Sequence, residues 1–144
     1  MGFGGGSTTN TWRQLFMWSV GDTVNNLEIG PMCGDSNAVG SNNNRTSPFA
    51  RRCELSHMML VINTNSNTVD DAEYIIRITP YTDPFVFFTG NMNIQIDQAT
   101  GLFEDLTNTD VLSNGGVLQG CHWMYLQGDS TVLVRSIACE GVGT

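Results

Sequence analysis

Apolar and polar positions alternate with period two along most of this chain. Met92, Ile94 and Ile96 fall on one side against Asn93, Gln95 and Asp97 on the other, the pattern of a strand with one buried face and one wet face. Tyr74, Ile76 and Ile78 alternate with Glu73 and Arg77, and Phe16, Trp18 and Val20 with Leu15, Met17 and Ser19. Further strands are predicted over residues 52–62, 117–126 and 131–139. Residues 57–62 and 121–126 are apolar at nearly every position, so their outer faces should also be covered, by a second layer or a second subunit. Trp18, Ile62, Ile76, Ile94, Trp123 and Val134 are the expected core.

Between these runs lie connectors rich in Asn, Gly and Ser, at residues 36–47, 63–68 and 113–116. Asn and Gly tolerate positive φ, which gives each connector turn chemistry. No stretch sustains a helical stripe, and some eight short strands joined by turns predict an all-β antiparallel sandwich or barrel. Residues 1–11 read as an extended N-terminal arm, Gly-rich and without a core of its own, and residues 12–144 as one β-sandwich domain.

Composition narrows the function. Charged residues are only 14% of the chain, well below the quarter typical of soluble domains, so the surface must be neutral and polar. All six basic residues are arginine, and the net charge is −8. A protein that grips phosphate backbones needs clustered positive charge, so no direct nucleic-acid partner is expected. Nor is a membrane partner, because no apolar run reaches the length of a span, and neither a secretory nor a myristoylation signal is legible at Met1–Gly6. In that setting Cys33, Cys53, Cys121 and Cys139 are expected to be reduced, buried thiols.

Candidate chemistry is sparse. The only imidazoles are His57 and His122, both inside predicted strands. A Cys121 or Ser56 nucleophile helped by a histidine is the sharpest catalytic reading, and the Cys121–His122 pairing is geometrically poor, since adjacent strand residues point to opposite faces. No catalytic residue is assigned, and the chain is expected not to be an enzyme. The acids Asp70, Asp71 and Glu73, and Glu104, Asp105 and Asp110, sit beside turns where calcium could find oxygen ligands. They are expected to be solvated loop acids, and no metal or other cofactor is assigned. Arg51 and Arg52, with Arg45 nearby, are expected to pair with carboxylates or lie in an interface.

Residues 55–78, a strand, an Asn-rich turn and a strand ending Ile-Arg-Ile, resemble the central hairpin of small jelly-roll virion proteins of tailed phages. Gly101-Leu102-Phe103-Glu104-Asp105, Asn108-Thr109-Asp110 and Gly115-Gly116 are similar to that group's recurring turn pattern, although Val117 stands where such chains often carry Asp. The likeness spans residues 55–139. It implies a jelly-roll-like sandwich acting as a capsid cement or decoration protein, made in the host cytoplasm and carried on the virion's capsid surface. The implied partners are the major capsid protein and further copies of the chain in a homotrimer. The alternative it implies is a head-fibre or tail-tip module that binds a host receptor or glycan. Phe3, Trp12, Arg51 and Arg52 are the expected interface residues, with Phe3 and Trp12 anchoring the arm on a neighbouring chain.

Overall fold

The computed structural model describes residues 12–18, 22–31, 47–49, 52–80, 88–112 and 119–143. They form eleven strands, all paired antiparallel: β1 (Trp12–Trp18), β2 (Asp22–Val24), β3 (Ile29–Pro31), β4 (Ser47–Phe49), β5 (Cys53–Asn65), β6 (Glu73–Pro80), β7 (Phe88–Gln95), β8 (Gly101–Asp105), β9 (Asp110–Leu112), β10 (Gln119–Leu126) and β11 (Val132–Gly143). Among the described residues no helix is long and apolar enough to cross a membrane. The all-β antiparallel sandwich expected from the alternation is therefore the observed fold class.

Sheet A runs β1-β11-β5-β8, with β2 also on β11 and β9 also on β5. Sheet B runs β3-β10-β6-β7, with β4 also on β10. The short strands are collinear in pairs. β1 and β2 follow one line along β11, β8 and β9 one line along β5, and β3 and β4 one line along β10. Each sheet thus has four lines. Taken in chain order, the eight lines pair first with eighth, second with seventh, third with sixth and fourth with fifth.

The core lies between the sheets and draws on both. Trp18, Ile62, Ile76, Ile94, Trp123 and Val134 are all buried, as the alternation predicts. An aromatic spine crosses the interior: Trp18 meets Trp123 edge to face at 4.9 Å, and Tyr74 stacks on Tyr125 at 4.9 Å. Such pairs add roughly 0.5–1.5 kcal/mol beyond their area burial. Gly30 makes room for this spine, because a Cβ there would sit 2.0 Å from the Trp123 ring.

The two faces expected to be covered differ. On the outside of sheet B, Ile75 and Met124 are buried and join Leu126 in a second apolar cluster. On the outside of sheet A, Met59 and Val61 stay half-buried, while Leu15 and Met17 are 53% and 50% exposed. That face has no such cluster among the described residues.

The Asn-rich connector after β5 works differently from its sequence reading. Among the described residues positive φ falls on Leu27, His57, Asp97, Gln127 and Gly101, and on none of this connector's asparagines. Asn65 and Asn67 act instead through their carboxamides. Asn65 Nδ2 donates to the carbonyls of Asp97 and Ala99 at 3.0 and 2.9 Å. Buried Asn67 donates to the Tyr125 hydroxyl and accepts from the Ser130 backbone N–H at 3.0 Å. Three loops are thereby tied at one end of the sandwich.

Candidate functional site: the outer face of sheet A

Register across sheet A sets Met17 beside Ala138, Ala138 beside Met59, and Met59 beside Glu104. The next outward row is Ser136, Val61 and Leu102. With Leu15 on β1, these rows form an apolar band across all four lines of the sheet. Leu102 at its far edge is 63% exposed. Contiguous exposed apolar surface marks a contact surface more often than apolar residues scattered singly do.

A bulge interrupts the band. Ala138 pairs with Met59 and Glu140 with Ser56, so His57 and Met58 together oppose the single residue Cys139. Within the bulge His57 takes the left-handed conformation, at φ 49°. Bulges re-aim side chains and recur beside functional sites. Here the imidazole is set between two carboxylates: Nε2 lies 2.9 Å from Glu104 Oε1 and Nδ1 lies 3.7 Å from Glu140 Oε1. The hydrogen bond with Glu104, then the charges of Glu104 and Glu140, raise the His57 pKa above its ordinary value despite the opposing desolvation. The two carboxylates meet opposite ring nitrogens, a geometry that does not converge on one ion. Among the described residues no group of three or more His, Cys, Asp or Glu is placed to hold a metal.

Beside His57 runs a groove of roughly 430 Å³ walled by Arg13, Leu15, Met59, Glu140 and Val142. It continues toward Arg52 and Glu54. The charges that line the two grooves or pair with His57 are Arg13 and Arg52 against Glu54, Glu104 and Glu140, a net of −1 with His57 neutral and 0 with it protonated. The chain as a whole carries −8. Almost all of the excess negative charge therefore lies elsewhere.

The expected interface residues fall unevenly. Arg52 is exposed at the end of the groove, and no ion pair of Arg52 forms among the described residues. Trp12 opens β1, with its backbone paired to Gly143, and so belongs to the sheet and not to the arm. Phe3 and Arg51 lie outside the described residues. Sequence reading missed the His57, Glu104 and Glu140 cluster, whose members sit on three strands far apart in the chain. The one local sign was a polar Ser-His step opening an otherwise apolar run.

The acids near β8 and β9 correct another expectation. Asp105 and Asp110 are buried, not solvated. Asp110 accepts from the backbone N–H groups of Asn91 and Met92 at 2.7 and 3.0 Å, and Asp105 accepts from that of Asn93 at 3.0 Å. Both carboxylates reach from sheet A to the edge strand of sheet B. They occupy amides that an unprotected edge would offer to another chain. Cys121 points into the core, whereas His122 lies on the opposite face of β10. Burial, then the charge of Arg77, holds His122 down to about 4, which leaves it neutral at physiological pH.

No protein-family model, curated protein or solved structure matches this chain.

Proposed function

We propose that this chain is a structural subunit of a larger assembly, a virion cement or decoration protein, which docks by the outer face of sheet A. The major capsid protein lattice is the docking partner, and copies of the chain associate as a homotrimer on it. The observation that carries the reading is the apolar band of exposed Leu15, Met17 and Leu102 with half-buried Met59 and Val61, which among the described residues forms no buried cluster, whereas the outer face of the other sheet buries Ile75 and Met124 in one. The near-balanced charge around its grooves adds support, since a face without like-charge excess adds little electrostatic repulsion to association. The nested pairing of the eight strand lines supports the jelly-roll reading of the fold. A structural role needs only a complementary surface, and this face offers apolar area, a groove and a few fixed polar groups.

Electron cryomicroscopy of native particles carrying the chain tests this directly. The expected image places the domain on an icosahedral shell with sheet A toward the lattice. In parallel, Met17→Asp with Leu102→Asp should leave the fold intact by circular dichroism and abolish co-sedimentation with the particle. A domain seated with sheet A toward solvent, or a double variant retained as tightly as the parent, would overturn the proposal.

A further inference from the structure

A second groove, of roughly 370 Å³, lies where β7 of sheet B meets β8 of sheet A. Its apolar lining comes from half-buried Phe103 and from Leu106, which is 68% exposed. Its polar lining comes from Asn93, Gln95, Glu104, Asp105, Thr107 and Asn108. Their hydrogen-bonding capacity is partly spent in a way that orients the rest. Gln95 Nε2 donates to the Asp70 carbonyl at 2.6 Å and to Asp97 at 2.7 Å, and Asn108 Nδ2 donates to Asp105 at 3.0 Å. Pinning the nitrogen ends leaves the carbonyl oxygens of both residues as the groups still able to accept. Glu104 uses Oε1 on His57 and keeps Oε2. The Asn93 carboxamide makes no hydrogen bond among the described residues, and so adds both a donor and an acceptor.

The groove thus offers several acceptors, one free amide and an apolar wall, with no cation among the described residues of its lining. Anions are disfavoured. A fully charged base would find two carboxylates, Asp105 with both oxygens already engaged by backbone N–H groups and Glu104 shared with a histidine. The chemistry that uses these features together has several hydroxyl donors on one edge and a C–H face on the other. We propose that the seam between β7 and β8 binds a neutral saccharide, with Asn93, Gln95 and Asn108 holding hydroxyls and Phe103 and Leu106 meeting the C–H face. This activity goes beyond docking at sheet A and does not depend on it. The groove's size is in the range of small-ligand sites, about 300–1,000 Å³.

The test is ¹H–¹⁵N NMR titration of the full chain with lactose, maltose and chitobiose, with agmatine as a cationic comparison. Saturable shifts are expected for at least one disaccharide at the amides of residues 93–95 and 103–108. Asn93→Ala and, separately, Leu106→Ala should each weaken that binding about tenfold with the rest of the spectrum unchanged. Two exposed positions are used so that a folding failure in one leaves the other to decide. No saturable shift with any disaccharide, shifts confined to other surfaces, a response to agmatine alone, or undiminished binding by both folded variants would overturn the assignment.

Discussion

Replacing Asp105 with Asn removes one negative charge and changes one oxygen to an NH₂ group at constant shape. In the native chain Oδ1 accepts from the backbone N–H groups of Thr107 and Asn108 at 3.1 and 3.0 Å, while Oδ2 accepts from the Asn93 N–H at 3.0 Å. An asparagine can keep its oxygen toward the turn, where most donors converge. Its NH₂ then faces the Asn93 N–H, donor against donor, and the link from β8 to β7 is lost. Leaving this part-buried N–H without its acceptor costs about 1–3 kcal/mol, and losing charge assistance on the two remaining backbone bonds costs roughly 1 kcal/mol each. The expected loss is therefore about 3–5 kcal/mol, a large share of the roughly 5–15 kcal/mol that holds such a domain folded.

Urea unfolding of parent and variant at neutral pH measures this directly. The pH dependence supplies an independent check. Burial alone would raise the Asp105 pKa, but the bonds from Asn108, Thr107 and Asn93 outweigh it and hold the carboxyl below its ordinary value. A group whose folded pKa is depressed contributes stability above its unfolded value, near 4, and loses that contribution as pH falls through the folded one. The gap between parent and variant should hold at neutral pH and narrow only below about pH 4. A gap under about 1 kcal/mol at pH 7 would refute the reasoning, because it would mean that these bonds exchange with water at no net cost.

Gly90→Ala should destabilise the same seam by roughly 1–3 kcal/mol, since a Cβ there would lie 2.4 Å from Asp110 Oδ2; unchanged urea midpoints would show that the carboxylate can yield. Cys53 and Cys139 are pushed up to about 11 and about 12, chiefly by burial, so native protein at pH 8 should alkylate slowly at both. Non-reducing denaturant should then expose four modifiable thiols, and finding none modified would establish disulfides. His57 has its pKa raised by Glu104 on β8 and Glu140 on β11, with Arg13 on β1 and Glu54 on β5 nearby. Its contribution to stability should be fully present below about pH 6.5 and fade as pH rises through the raised value. His57→Gln should flatten that part of a melting-temperature profile, and identical profiles would refute the assignment.

The strands and core were legible because period-two alternation reports burial directly, as Trp18, Ile76 and Ile94 show. Their pairing was not, because which strands meet depends on contacts such as β1 with β11, which join the two ends of the described chain. The apolar outer positions of β5 and β10 looked alike in sequence. Only the fold reveals that Met124 is covered while Met59 remains half-exposed. Asp105 and Asp110 resembled ordinary turn acids because nothing local marks them as acceptors for amides on another sheet. The His57 cluster was hidden for the same reason, compounded by a bulge that no pattern of hydropathy announces. Phe3 and Arg51, expected at an interface, lie outside the described residues.

The energetics of the sheet A face bear on why the proposed docking subunit should be multimeric. Leu15, Met17 and Leu102 keep between 50% and 63% of their surface exposed. Fully burying a large apolar side chain is worth about 1.5–3 kcal/mol, so completing the burial of these three would contribute on the order of 3–5 kcal/mol. Half-buried Met59 and Val61 add less. Association costs an estimated 4–15 kcal/mol in lost translational and rotational freedom before any side chain is ordered. One domain held by this band alone would dissociate readily. Copies joined in a symmetric oligomer place the second and third faces at high effective concentration once the first has docked, and avidity can then exceed single-site affinity by about 10²–10⁴-fold without any new contact. A variant that stays monomeric, with sheet A intact, should therefore bind the particle with fast exchange and wash off on dilution. The parent should remain bound. Equal retention of the two would mean that the face contributes far more than its exposed apolar area allows, and that the partner must engage another part of the surface.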